Sequence, residues 1–116
     1  MADQIWLDAV AGGKELWDKT RGVFADENPD LSYTDLFDTD FSGFSLVKAN
    51  FKGTDLSGSN FTGADLTGAF FNDCDLVGAK FAGATLEGAN FEGAELANAD
   101  FGGAAAPDTT VIPPSV

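Results

Sequence analysis

The chain has 116 residues, a formal net charge of −13 at pH 7 and no His. That is enough for one domain. The acidic balance argues against direct nucleic-acid binding, which needs Lys and Arg to neutralise phosphates, and against anionic membrane surfaces. The single Cys, Cys74, rules out an internal disulfide framework. No apolar run reaches the ~18 residues of a membrane span. The N-terminus shows neither a basic start nor a contiguous apolar stretch, so no signal peptide is visible and a cytoplasmic setting is expected.

Met1 to Gly22 reads as helical. Asp3 suits an N-cap. Ile5, Trp6, Ala9 and Val10 make one apolar patch, and Leu16 and Trp17 continue it. Gly12-Gly13 weakens the middle, so one kinked helix and two short helices fit equally. Gly22 is the expected stop. Trp6, Leu16 and Trp17 read as an N-terminal cap, because the first unit of a stacked repeat needs a lid; a functional role for the two Trp is the alternative. Gly12-Gly13-Lys14 looks like a phosphate loop but lacks a Gly five residues before Gly13, and Glu15 stands where Ser or Thr belongs. Asp26 to Asp30 is a polar connector with a turn at Asn28-Pro29.

From Leu31 the chain repeats every five residues. Leu31, Leu36, Phe41, Leu46, Phe51, Leu56, Phe61, Leu66, Phe71, Leu76, Phe81, Leu86, Phe91, Leu96 and Phe101 alternate strictly from Leu36 onward. A small residue usually stands two positions before each, such as Ala64 or Ala89, and a Gly two positions after, such as Gly53 or Gly68. A period of five fits neither helix nor strand. It marks a stacked repeat.

The runs Ala-Asn-Phe-Lys-Gly (49–53), Ala-Asp-Leu-Thr-Gly (64–68) and Ala-Asn-Phe-Glu-Gly (89–93) resemble the pentapeptide-repeat family. Gly13, Trp17, Asp18, Arg21 and Pro29 loosely match a lead segment of that family, with Thr20 where a second Trp is usual. The resemblance implies an all-β fold: a right-handed, four-sided parallel β-helix of about four coils behind a short helical cap. Residues 1–28 are then cap and connector, 29–106 the β-helix, and 107–116 a Pro-containing tail. It also implies four pentads per coil, with the central Leu or Phe and the small residue inward. Residues twenty apart should stack. Phe41, Phe61, Phe81 and Phe101 form one inner column, with Phe51, Phe71 and Phe91 opposite. Leu36, Leu56, Leu76, Leu96 and Leu46, Leu66, Leu86 fill the other two. Volume is then similar in every ring, as dense packing requires.

Some residues depart from the pattern. Phe44 takes a small inward slot, and an oversized side chain there predicts a distorted first coil packed on the helix. Tyr33 and Phe37 fall at outward positions. Phe70 takes an outward Asp or Asn slot, either as an ordinary exposed Phe or as a hot spot for a partner. Cys74 falls in a small inward slot and reads as buried and unreactive. Ala104 to Ala106 weaken the repeat, and Pro113 and Pro114 suit the blunting of an open sheet edge.

No nucleophile arrangement, cofactor motif or Cys/His metal cluster is present, and a packed rod leaves no pocket, so no enzyme, cofactor or metal is expected. Asn60-Phe61-Thr62 matches a glycosylation acceptor, expected to be unused. The one candidate constellation is the outward column Asp35, Asp55, Asp75 and Glu95, ~4.8 Å apart per step. It reads as a solvated acidic face, as a binding face for a basic partner, or as a cation ladder. The ladder suits Ca²⁺ poorly, because a flat row does not converge. The function expected is a non-enzymatic interaction or scaffold module presenting flat acidic faces to a protein partner, as a monomer or end-to-end homodimer. The alternative is a DNA mimic acting on DNA gyrase, as some members of the resembled family do.

Overall fold

The computed structural model describes residues 2–104. Ala105, Ala106 and the tail 107–116, with the expectations placed on them, lie outside the described residues.

Two helices open the chain, α1 (Gln4–Ala11) and α2 (Gly13–Val23). The Asp3 side chain accepts from the Ile5 N–H at 3.1 Å and caps α1. Gly13 takes φ +84°, a left-handed value that Gly adopts freely, so the chain breaks into two helices. The second passes Gly22 by one residue. The two helices form the N-terminal cap of the repeat, held together by Trp6 and Trp17, both buried, with ring centroids 5.3 Å apart. Leu16 does not belong to that face. It is 42% exposed, because adjacent helical residues point ~100° apart and Trp17 takes the inward direction. Leu16 instead lies over Gly12.

Beyond Pro29 the backbone winds in coils. Parallel bridges join residues twenty apart, from Asp30 with Asn50 through Lys80 with Asp100. From Phe41 onward each pentad also closes its own turn, as when the Thr54 N–H donates to the Phe51 carbonyl at 3.0 Å. The Thr34 and Thr39 N–H groups donate instead to the Thr54 and Ser59 hydroxyls of the next coil. One bridge per side and one turn per pentad give four sides per coil. The β-structure consists of isolated bridges rather than continuous strands, and the cap is helical, so the expectation of an all-β fold holds for the coil alone.

The interior is the expected set of columns. Phe41, Phe61, Phe81 and Phe101 stack at 4.9, 5.0 and 4.8 Å. Phe51, Phe71 and Phe91 stack at 5.2 and 5.0 Å. The two columns meet edge-to-face, as Phe61 meets Phe71 at 5.6 Å, an arrangement favoured by the ring quadrupole. Each buried Leu or Phe contributes roughly 1.5–3 kcal/mol. Leu36 in the first coil and Phe101 in the last are only partly buried.

Phe44 does not distort its coil. Its N–H still donates to the Phe41 carbonyl at 3.1 Å, and its carbonyl still accepts from Asp65 at 3.0 Å. No coil lies beneath the first, so the ring turns toward the cap and stacks on Trp17 at 5.4 Å. The Trp17 indole N–H donates to the Ser45 carbonyl at 2.8 Å, and Arg21 Nη2 reaches the Val47 carbonyl at 3.3 Å. These bonds fix the cap on the coil.

Candidate functional site

Ten of the fifteen pentads tether their own corner. The residue before the central Leu or Phe lends a side-chain oxygen to the N–H two residues on. Asp55 Oδ1 accepts from the Ser57 N–H at 3.0 Å and from the Ser57 hydroxyl at 2.7 Å. Asp40 accepts both groups of Ser42; this donated pair holds the Asp40 carboxyl below the ordinary carboxylate range. Asp75 accepts from the Val77 N–H at 3.0 Å, and Asp35 from Phe37 at 3.3 Å. Sequence reasoning placed these carboxylates outward but missed their work within the turn. The signal was legible: Asp and Asn bond their own backbone two residues on.

The corner itself needs positive φ. Gly fills ten such positions in the coil, and Tyr33, Asp38, Lys48, Asp73 and Asn98 fill the others. A non-Gly corner residue leans on a Gly one coil later: the Tyr33 ring on Gly53, Asp38 on Gly58, Lys48 on Gly68, Asp73 on Gly93. A Cβ at those Gly residues would collide with or crowd the neighbour.

The small inward slots admit polar atoms that bond backbone. Thr54 Oγ1 donates to the Leu31 carbonyl at 2.6 Å and Ser59 Oγ to the Leu36 carbonyl at 2.8 Å. Cys74 Sγ sits 2.7 Å from the Phe51 carbonyl, and burial pushes its thiol up to about 12.

The sides differ in charge. Asp35, Asp55, Asp75 and Glu95 are brought together by parallel bridges in one column. With corner residues Asp38 and Asp73, the stretches 33–38, 53–58, 73–78 and 93–98 hold six carboxylates and no Lys or Arg. Tyr33, Phe37 and Val77, exposed by 58, 54 and 39%, lie in the same stretches. The preceding side is different. Its column is Asp30, Asn50, Phe70 and Asn90, and its middle carries Lys48 and Lys52. Among the described residues, no three His, Cys, Asp or Glu converge as metal ligands.

The packed interior does not leave the surface featureless. An open depression of ≈ 520 Å³ runs along the Asn50–Phe70–Asn90 column. A second, of ≈ 620 Å³, lies between α1 and the first coil against Leu7, Val10, Leu36 and Phe44. It accounts for the partial exposure of Leu36.

The pentapeptide-repeat model matches residues 30–73 and 74–108, in 8 copies. The chain belongs to the pentapeptide-repeat family. Membership implies the right-handed quadrilateral β-helix. None of the curated proteins matches. Among solved structures, a pentapeptide repeat protein from Nostoc PCC 7120 is 33% identical, covering 66% of this chain and 75% of its own, with a TM-score of 0.56. A pentapeptide repeat protein from the Arabidopsis thaliana thylakoid lumen is 40% identical over 64% of this chain, with a TM-score of 0.44. The match spans 55% of that relative's length. QnrB1, a plasmid-mediated fluoroquinolone resistance protein, is 20% identical over 66% of this chain and 59% of its own, with a TM-score of 0.43.

Proposed function

We propose that this pentapeptide-repeat protein is a non-enzymatic interaction module whose acidic side docks a basic segment of a protein partner. One observation carries the reading: six carboxylates without a cation share one side with three exposed apolar residues. Surface apolar groups rimmed by charge are the usual makings of a docking site. Tyr33 and Phe37 add ring faces that attract Lys or Arg. Capping fixes three of the six, Asp35, Asp55 and Asp75, so less side-chain entropy is lost there on binding.

Panning a degenerate 12-residue peptide library on the full chain tests this. Basic peptides with apolar residues should be enriched and should be lost on Asp35→Asn, Asp55→Asn, Asp75→Asn and Glu95→Gln together. Removing four acids at Asp8, Asp18, Asp26 and Glu27 should have little effect. Equal loss from both sets would reduce the site to bulk charge. The gyrase reading is weaker here. Coils rising ~4.8 Å each give a stack well short of the ~34 Å of one duplex turn, and one side carries lysines. A supercoiling assay run beside the panning separates the two.

A further inference from the structure

We infer a second docking surface of opposite preference on the Asp30–Asn50–Phe70–Asn90 side, built to take an extended acidic peptide segment bearing an apolar residue. The inference does not rest on the acidic side. It begins with two local choices that each weaken the coil. Phe70 occupies a turn-capping slot. Its column neighbours Asn50 and Asn90 accept from the N–H groups of Lys52 and Glu92 at 3.0 and 2.9 Å. Phe70 offers no acceptor to Asn72, and it leaves its ring 44% exposed. Four other slots, at Ser45, Lys80, Thr85 and Glu95, also lack a described cap, but Phe70 is the one filled by an apolar side chain. Lys48 holds φ +58°. Asp38, Asp73 and Asn98 tolerate that region, but Lys, like Tyr33 at φ +52°, has no local side-chain acceptor to support it.

The two costs meet in space. The Lys48 Cγ lies 3.3 Å from the point a Gly68 Cβ would occupy, so its stem crosses the corner that leads directly into Phe70. Lys52 stands across the same side. Lys48, Lys52, Phe70, Asn50, Asn72 and Asn90 line the ≈ 520 Å³ depression, with Asp30 the one carboxylate among its lining residues. Neither Lys forms an ion pair among the described residues. The central stretches 48–52 and 68–72 hold both lysines and no acid, and the outer stretches 28–32 and 88–92 hold one acid each, Asp30 and Glu92, within a chain of net charge −13. Departures from local rules that converge on one exposed patch mark a site. The occupant follows from charge complementarity and chemistry. Carboxylates meet the two ammonium groups, an apolar side chain covers Phe70, and free amide groups of the Asn residues bond an extended backbone.

The test uses the full chain and the same 12-residue library at ~0.15 M salt. Acidic peptides containing an aromatic or aliphatic residue should form a second enriched class. Phe70→Asn and Lys48→Gly should each weaken a selected peptide by about tenfold or more, while raising the melting temperature, because one restores a turn cap and the other removes backbone strain. Lys52→Gln should weaken it without a change in melting. The four-fold neutralisation of the acidic side should leave this class intact. Absence of an acidic, apolar class would overturn the inference. So would peptides indifferent to Phe70→Asn, or binding matched by acidic peptides with no apolar residue and displaced by citrate, which would mean a plain anion site.

Discussion

A carboxylate at the second position of a pentad has a local task before any other. Asp65 Oδ1 accepts from the Thr67 N–H at 3.1 Å and its hydroxyl at 2.6 Å. Asp65→Ala should therefore cost about 1 kcal/mol, whereas Asp65→Asn keeps the acceptor and should be near neutral in a denaturant melt. Leu66→Asp, one residue on and fully buried, should cost several kcal/mol and abolish the cooperative transition. For Asp40 the sign is fixed by its depressed pKa. Its contribution is present above the ordinary carboxylate range and fades as pH falls through the lowered value. Ser42→Ala should shift that loss to higher pH in a stability titration. Cys74, raised to about 12 by burial, should resist iodoacetamide at pH 8 in the folded protein and react once it is unfolded. The inward or outward place of these residues was plain in the five-residue period. Their hydrogen bonds were less plain, because the period shows direction and not reach.

At the scale of the element, corners and cap set the tolerances. Gly58 and Gly63 share φ near +69° and +68°. A Cβ at Gly63 meets open space, whereas one at Gly58 meets Asp38. Gly63→Ala should cost about 1 kcal/mol for the backbone alone, and Gly58→Ala clearly more. Asp38→Gly should recover the difference in a double-mutant cycle. The cap rests on Trp17, which is fully buried, stacked on Phe44 and bonded to Ser45. Trp17→Ala should cost about 3–5 kcal/mol and favour self-association through the uncovered first coil, seen as a concentration-dependent rise in light scattering. The cap was readable as a pair of Trp and a helical pattern. Leu16 was misread because Leu and Trp neighbour each other in sequence, and only the docking direction of α2 decides between them. Phe44 was read correctly as a contact to the helix, but the absence of a coil beneath it spares the backbone.

For the whole molecule, the charge of −13 and its uneven distribution over the sides should appear in stability. Replacing Asp35, Asp55 and Asp75 with Asn and Glu95 with Gln keeps the Asx acceptors and removes stacked like charge. The melting temperature should rise at 0.01 M salt, where the Debye length is ~30 Å, and barely change at 1 M, where it is ~3 Å. The columns were legible because the twenty-residue step follows from the pentad family. The neutral, lysine-bearing side was not, since Phe70 alone looks like an ordinary exposed ring until Lys48 is seen to cross Gly68 beside it. The step also gives the coil an arithmetic of its own. A residue's side is its number modulo twenty, and its inward or outward direction is its number modulo five. Inserting one pentad would leave every later side chain pointing the right way, yet place Phe over Leu and turn the remaining surface by a quarter. Inserting two would restore Phe over Phe but carry each later surface to the opposite wall. Only a whole coil of twenty could be gained or lost with both core and surfaces in register, so the chain can lengthen freely in one unit and in no smaller one.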